Sequence, residues 1–177
     1  GRYVDAGPEA IESQLTEREA LRTHLLSVVA SGFAGSKRGV LDLLDATFFA
    51  HQSPDIDLSG LVETVAAEVS GMGLLTVGDP AGDVDGDGGT PDDTLSATDL
   101  GATVSQQYVR PETGARLVDA IREVGRMDDA DVTSLTALGA VCATPDARGT
   151  YLGNRERAAI YRYATQHATE FTTAPDE

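Results

Sequence analysis

The sequence predicts a mainly α-helical fold, in which three helices are closed by a two-stranded ribbon and followed by a further helical segment. Three observations carry that expectation. Leu21, Leu25, Val28 and Val29, and after them Val40, Leu41, Leu44, Phe48 and Phe49, recur at helical spacing on either side of a break at 32–36. Leu58, Leu61, Val62, Val65 and Val69 repeat the pattern, and a short apolar run at 74–77 has a β-tolerant return at 94–98. Beyond residue 98 every periodic stretch has helical spacing.

Taken in order, Pro8 sits where a short helix starts, with Ile11 and Leu15 one turn apart. Thr16 and Glu19 have capping-box spacing ahead of a helix over 17–31. Ser36 is the N-cap of the next, which runs to about 51, where HQSPDID ends it because Pro54 disfavours helix at Ser53. Gly71 and Gly73 terminate the third helix. The tract GDPAGDVDGDGGTPDD at 78–93 has nothing to bury and forms the tip of the ribbon. Three helices followed by a hairpin is winged-helix order, with the acidic tract at the end of the wing. Thr98 or Asp99 then caps a helix through Tyr108, with Leu100 and Val104 inward. Pro111 opens another, whose apolar face is Ala115, Leu117, Val118, Ile121 and Val124. A helix from Asp131 or Thr133 to Ala143 holds Leu135, Leu138, Val141 and Cys142 as its apolar residues, and TPDARG breaks it. A last helix spans 154–171 with Ile160, Tyr161 and Tyr163. The boundary is placed at 109–111, giving a winged-helix domain over 1–109, with its acidic insertion at 78–93, and a helical-bundle segment over 110–177.

The chain of 177 residues is 41% hydrophobic, enough for a core. No apolar run reaches membrane-span length, and residues 1–10 lack a signal-peptide layout, so a soluble, cytoplasmic protein with no membrane partner is expected. The lone Cys142 has no internal disulfide partner and reads as a small core residue. Charge is more informative: 29 acidic against 13 basic side chains give a net −16, and Lys37 is the single lysine. Such a lysine-poor acidic surface resembles that of proteins from extreme halophiles. At ~1 M salt the Debye length is about 3 Å, so net repulsion does not exclude DNA. Residues 1–105 carry 18 acidic and 5 basic groups, and residues 106–177 carry 11 and 8. The charge is concentrated in the first part.

LRTHLLSVVASGFA, LLDATFFAHQ, TDLGATVSQQYVRPETG and LTALGAVCATPD together resemble, in order and spacing, the region after the two motor domains of archaeal superfamily-two DNA helicases of the Ski-like repair group. Thr98, Leu100, Gly101, Val104, Ser105, Tyr108, Pro111, Thr113, Gly114, Cys142, Thr144, Pro145 and Asp146 carry the match. The resemblance implies a winged-helix domain and then the opening helices of a "ratchet" domain, whose DNA-stacking helix lies beyond the matched region. It also implies a parent that binds ATP and Mg in its motor domains, translocates on single-stranded or forked DNA, and docks this region against those motors. The Asp-rich insertion departs from the family's short wing. Neither GxxxxGK[ST] nor an Asp-Glu-x-His or Asp-Glu-x-Asp box occurs, so this region has no ATP-hydrolysing machinery and needs no cofactor of its own.

A winged helix that reads DNA puts its third helix in the major groove and needs donors there. LSGLVETVAAEVSGMG offers Glu63 and Glu68 and no cation, which favours a packing module over base readout. Lys37 and Arg38 are candidate phosphate contacts at the start of the second helix. In the later segment, Arg122 and Arg126 one turn apart, and Arg155, Arg157 and Arg162 among Tyr151, Tyr161 and Tyr163, are candidate strand-binding residues, though Asp119, Glu123 and Glu156 are close enough to pair with them. Asp83, Asp85, Asp87 and Gly88 match the start of a calcium loop, but Thr94 replaces its closing Glu, and a solvating loop is the better reading. His24, His51 and His167 show no metal-ligand spacing. The expectation is therefore a non-motor, non-enzymatic part of a helicase with weak, non-specific affinity for single strands. The alternative is a free-standing winged-helix regulator or partner-binding adaptor.

Overall fold

Helix α1 (Arg18–Ala30) places Leu21, Leu25 and Val28 along one stripe with Leu26 and Val29 beside it, and all five are buried. The computed structural model describes residues 17–47, 55–78, 93–147 and 153–172. The chain divides into two compact units, Gly1–Ser105 and Gln106–Glu177.

In the first unit, α1 is followed by α2 (Lys37–Asp45) and α3 (Leu58–Gly71), then by strands β1 (Leu75–Val77) and β2 (Leu95–Ala97), and α4 (Asp99–Gln106) begins at its end. Val40 and Leu44 of α2, Val62, Val65, Ala66 and Val69 of α3, and Leu74, Leu75 and Leu95 of the ribbon complete the core around α1. The strands are antiparallel, with Leu75 opposite Ala97 and Val77 opposite Leu95. The turn after α1 joins them: Ser36 bridges Thr94, and the Leu95 amide donates to the Gly35 carbonyl. This is the element order of a winged helix.

The two long helices of this unit end alike. At α1 the Gly32 amide donates to Val29 and the Phe33 amide to Val28; at α3 the Gly73 amide donates to Ser70 and the Leu74 amide to Val69. Gly32 and Gly73 have φ of +76° and +74°, the left-handed conformation this double-bonded ending requires and side chains resist. Gly101 has a different role. A Cβ there would collide with the Leu74 carbonyl oxygen, so α4 approaches the start of β1 at backbone contact distance.

Several predicted boundaries move. The N-cap of α1 is Glu17, with no side-chain cap bond, and Thr16 lies outside the described residues. Ser36 does cap α2, its Oγ accepting from the Gly39 amide at 3.0 Å, but α2 ends at Asp45 rather than near 51. Pro8, Ile11, Leu15, Phe48, Phe49, His51 and the tract holding Asp83, Asp85 and Asp87 lie outside the described residues.

The second unit contains α5 (Pro111–Val124), α6 (Ser134–Cys142), a 3-10 turn (Pro145–Ala147), α7 (Asn154–Gln166) and a second 3-10 turn (Ala168–Glu170). Thr133 caps α6 through a capping box with Thr136. Here the predicted core needs correction. On α5 the buried residues are Pro111, Thr113, Gly114 and Ala120, while Ile121 is 70% exposed. On α6 only Thr136 is buried; Leu138 is 58% exposed, Val141 53%, and Cys142 faces solvent. The last helix stops at Gln166, with Ala164 its one buried residue and Ile160 and Tyr163 exposed. Periodicity identified residues that share a face; it carries no information on whether another element covers that face.

Candidate nucleic-acid interface

The helix in the reading position, α3, is fastened inward by its acids. Glu68 accepts from Arg22 Nη1 at 2.9 Å and lies 3.4 Å from Arg18 Nη1, both on α1, and Glu63 lies 3.7 Å from Lys37 Nζ on α2. Cations close enough to offset the acidic helix are thereby used to hold it to its neighbours. The α3 sequence contributes no Lys or Arg of its own.

Lys37 is largely covered and leans toward Glu63, whereas Arg38 is exposed with no ion pair to a described residue. They border a shallow cleft of about 390 Å³ shared with Asp42, Ser59, Glu63 and Asp93. Its acids outnumber its bases, so the cleft as a whole does not attract an anion. Of the two cations, Arg38 is the exposed one.

The arginines of the second unit separate into distinct settings. Arg122 on α5 pairs with Asp119 at 3.0 Å. Arg126 lies past the end of α5, whose C-cap is Gly125, so the two do not share a helical face as their spacing suggested. Arg155, Arg157 and Arg162 all lie on α7, exposed, and form no ion pair with a described residue. At about 100° per residue, Arg155 and Arg162 fall on one face, opposite the buried Ala164, while Arg157 lies on another side. Tyr163 is exposed nearby and its ring rests 4.3 Å from that of His167; Tyr161 is half-buried, and Tyr151 lies outside the described residues. Arg155 and Arg162 thus share an exposed cationic face of α7, with Tyr163 about a quarter-turn around the helix from it.

Helical periodicity gave no sign of three features. Asp146, in the 3-10 turn after α6, accepts from Thr113 Oγ1 on α5 and from Arg110 Nε and Nη2 just before it. The Thr113 hydroxyl first, and then the Arg110 guanidinium, hold the Asp146 carboxyl below its ordinary pKa. Glu170 similarly gathers Thr133 Oγ1 from the α6 cap and His167 Nδ1, and these two bonds, in that order, lower its pKa. Both clasps join residues more than thirty apart in sequence, which periodicity cannot register. Tyr108, third, holds a left-handed φ of +55° and is 97% exposed. No group of His, Cys, Asp and Glu among the described residues converges to hold a metal. No helix among them is long and apolar enough to cross a membrane.

No protein-family profile matches the chain. It is, however, 33% identical over 175 residues to the ATP-dependent DNA helicase Hel308 of Methanocella arvoryzae, an alignment covering 98% of this chain and 22% of that protein. It is 25% identical over 156 residues to the protein of the same name from Pyrococcus horikoshii, covering 88% of this chain and 20% of that one. The chain thus spans about a fifth of the length of these curated relatives, and over nearly all its own length it is similar in sequence to a region of Hel308 DNA helicases.

Proposed function

We propose that this chain is a non-motor part of an ATP-dependent DNA helicase from an archaeon, a winged-helix domain over 1–109 followed by the opening helices of a ratchet-like domain over 110–177. The observation that carries the reading is the continuous similarity to Hel308 helicases across 98% of the chain, together with the absence of a phosphate-binding loop and a metal-holding acidic box from its sequence. ATP and Mg belong to the motor domains of the parent, which is cytoplasmic and halophilic. In that parent, unit 1 braces neighbouring domains rather than reading bases, because Glu63 and Glu68 of α3 are tied to Lys37, Arg18 and Arg22. Single-stranded or forked DNA passes the second unit, where Arg155 and Arg162 hold phosphates weakly and without sequence preference. Arg38, Arg122, Arg126, Arg157 and the largely covered Lys37 contribute less, and Asp83, Asp85 and Asp87 bind no cation tightly.

Fluorescence anisotropy with labelled oligonucleotides tests this. The chain should bind single strands weakly, lose that binding steeply as salt rises, and lose most of it in the Arg155→Ala/Arg162→Ala double variant, with no ATP turnover. Sequence-specific duplex binding by a two-fold dimer would instead identify a free-standing regulator.

A further inference from the structure

Helix α6 is fastened to other elements at both of its ends. Its nine residues bury only Thr136, so those fastenings carry much of what keeps so short a helix in place. At the N-terminal end, the cap residue Thr133 donates from Oγ1 to Glu170, in the 3-10 turn after α7, and the other Glu170 oxygen accepts from His167 Nδ1 at 2.5 Å. His167 is the C-cap of α7, and its ring lies 4.3 Å from that of Tyr163, one turn back on that helix. Just past the C-terminal end, one oxygen of Asp146 accepts from Thr113 Oγ1 at 2.5 Å and the other from Nε and Nη2 of Arg110. Arg110 is the N-cap of α5, and with Pro111 behind it sets the entry to that helix. Each carboxylate has both oxygens engaged, so a displacement at one partner reaches the other. The links run without a gap from Tyr163 through His167, Glu170 and Thr133, along α6, to Asp146 and Arg110.

We propose that this series is a relay, in which a strand held on α7 stabilises the Arg110 junction at the start of α5. It rests on the reading of α7 as the strand-holding helix. An occupied α7 orders Tyr163 and His167 and tightens the Glu170 clasp on Thr133. Helix α6, a rod between two fastenings, passes that constraint to Asp146. Only a few partly exposed hydrogen bonds carry the coupling, so it lies at the low end of the usual range, about fivefold.

The Gly114 amide, which donates to the Arg110 carbonyl, reports on the far end. Its protection against hydrogen exchange, measured with and without a saturating thymidine oligonucleotide, should rise about fivefold on binding. Glu170→Ala and Asp146→Ala should each abolish that rise, and because the links act in series the double variant should behave like either single one. Reciprocity limits the accompanying loss of strand affinity to the same factor. Asp119→Ala removes an exposed carboxylate paired with Arg122 outside the series, and should leave the rise intact. Should an alanine variant lose helicity, the near-isosteric Glu170→Gln and Asp146→Asn, each forfeiting one acceptor, take its place and must shrink the rise. A rise that survives in the clasp variants is general stabilisation by a bound ligand and overturns the relay. Binding with no response at Gly114 overturns the relay alone, whereas failure to bind the oligonucleotide overturns the strand-holding reading and the relay with it.

Discussion

The two units carry similar apolar periodicity and use it differently. Unit 1 buries Leu21, Leu25, Leu26, Leu44, Leu74 and four valines almost completely, and its acids only fasten helices that already share a core. Among the described residues of unit 2 the buried ones are small or polar, Thr113, Gly114, Ala120, Thr136, Thr144 and Ala164 with Pro111, while Ile121, Leu138 and Val141 stand in solvent. Polar clasps at Asp146 and Glu170 tie unit 2 together where aliphatic packing is thin. Amphipathic helices alone do not make a core; the number of apolar faces that meet decides whether one forms.

The largest expected effect breaks or confirms that contrast directly. Leu25→Ala removes a side chain from a closed core and should destabilise unit 1 by ~2–5 kcal/mol. Leu138→Ala, at a comparable helical position in α6, should change the stability of the present chain by no more than ~0.5 kcal/mol. Urea unfolding of both variants, followed by segment-resolved hydrogen exchange, measures the pair. A cost above ~1 kcal/mol for Leu138→Ala would mean that unit 2 is as well packed as unit 1.

The same contrast explains what could be read from the sequence. Leu21, Leu25, Val28 and Val29 were legible as core because α2, α3 and the ribbon follow in the chain and return to cover them. The Ser36 cap and the Gly73 stop were legible because they are local chemistry. Ile121, Leu138 and Cys142 were misread as buried for the complementary reason: spacing showed a shared face, and no described element closes over it. On the candidate interface, the shortage of donors on α3 was plain in its composition, whereas the inward pairing of Glu68 with Arg22 across 46 residues required the fold. Arg122 and Arg126 looked like one face until the end of α5 fell between them.

A second, smaller effect probes how tightly the last helix of unit 1 is seated. Gly101→Ala sets a Cβ against the Leu74 carbonyl, and backbone on both sides must move apart. The expected cost is ~1–3 kcal/mol, felt at the junction of α4 with β1 as faster exchange of the Thr98 amide, which donates to Leu74. If the variant is as stable as the parent chain, α4 is held more loosely than the core it adjoins, and the division between a closed unit 1 and an open unit 2 shifts upstream of Asp99.

The smallest expected effect distinguishes the units by what pH does to them. Asp146 and Glu170 both titrate below their ordinary values of 3.8 and 4.5, because Thr113 and Arg110 stabilise one carboxylate, and Thr133 and His167 the other. A depressed folded-state pKa means the clasp contributes fully above those ordinary values and is lost as pH falls through the folded ones. Acidification from pH 6 to 3 should therefore lower amide protection, measured against the intrinsic exchange rate at each pH, around Thr113 and at the α6 cap before it affects α1 or α3, whose burial is apolar and indifferent to protons. Both clasp carboxylates are exposed enough for solvent to screen them, so the change per residue is modest. Asp146→Asn keeps the shape but removes the charge, and at pH 6 it should already show the reduced protection near Thr113 that the unsubstituted chain shows at low pH. If α1 loosened first on acidification, its ion pairs with Glu68, rather than its leucines, would be what holds unit 1 together.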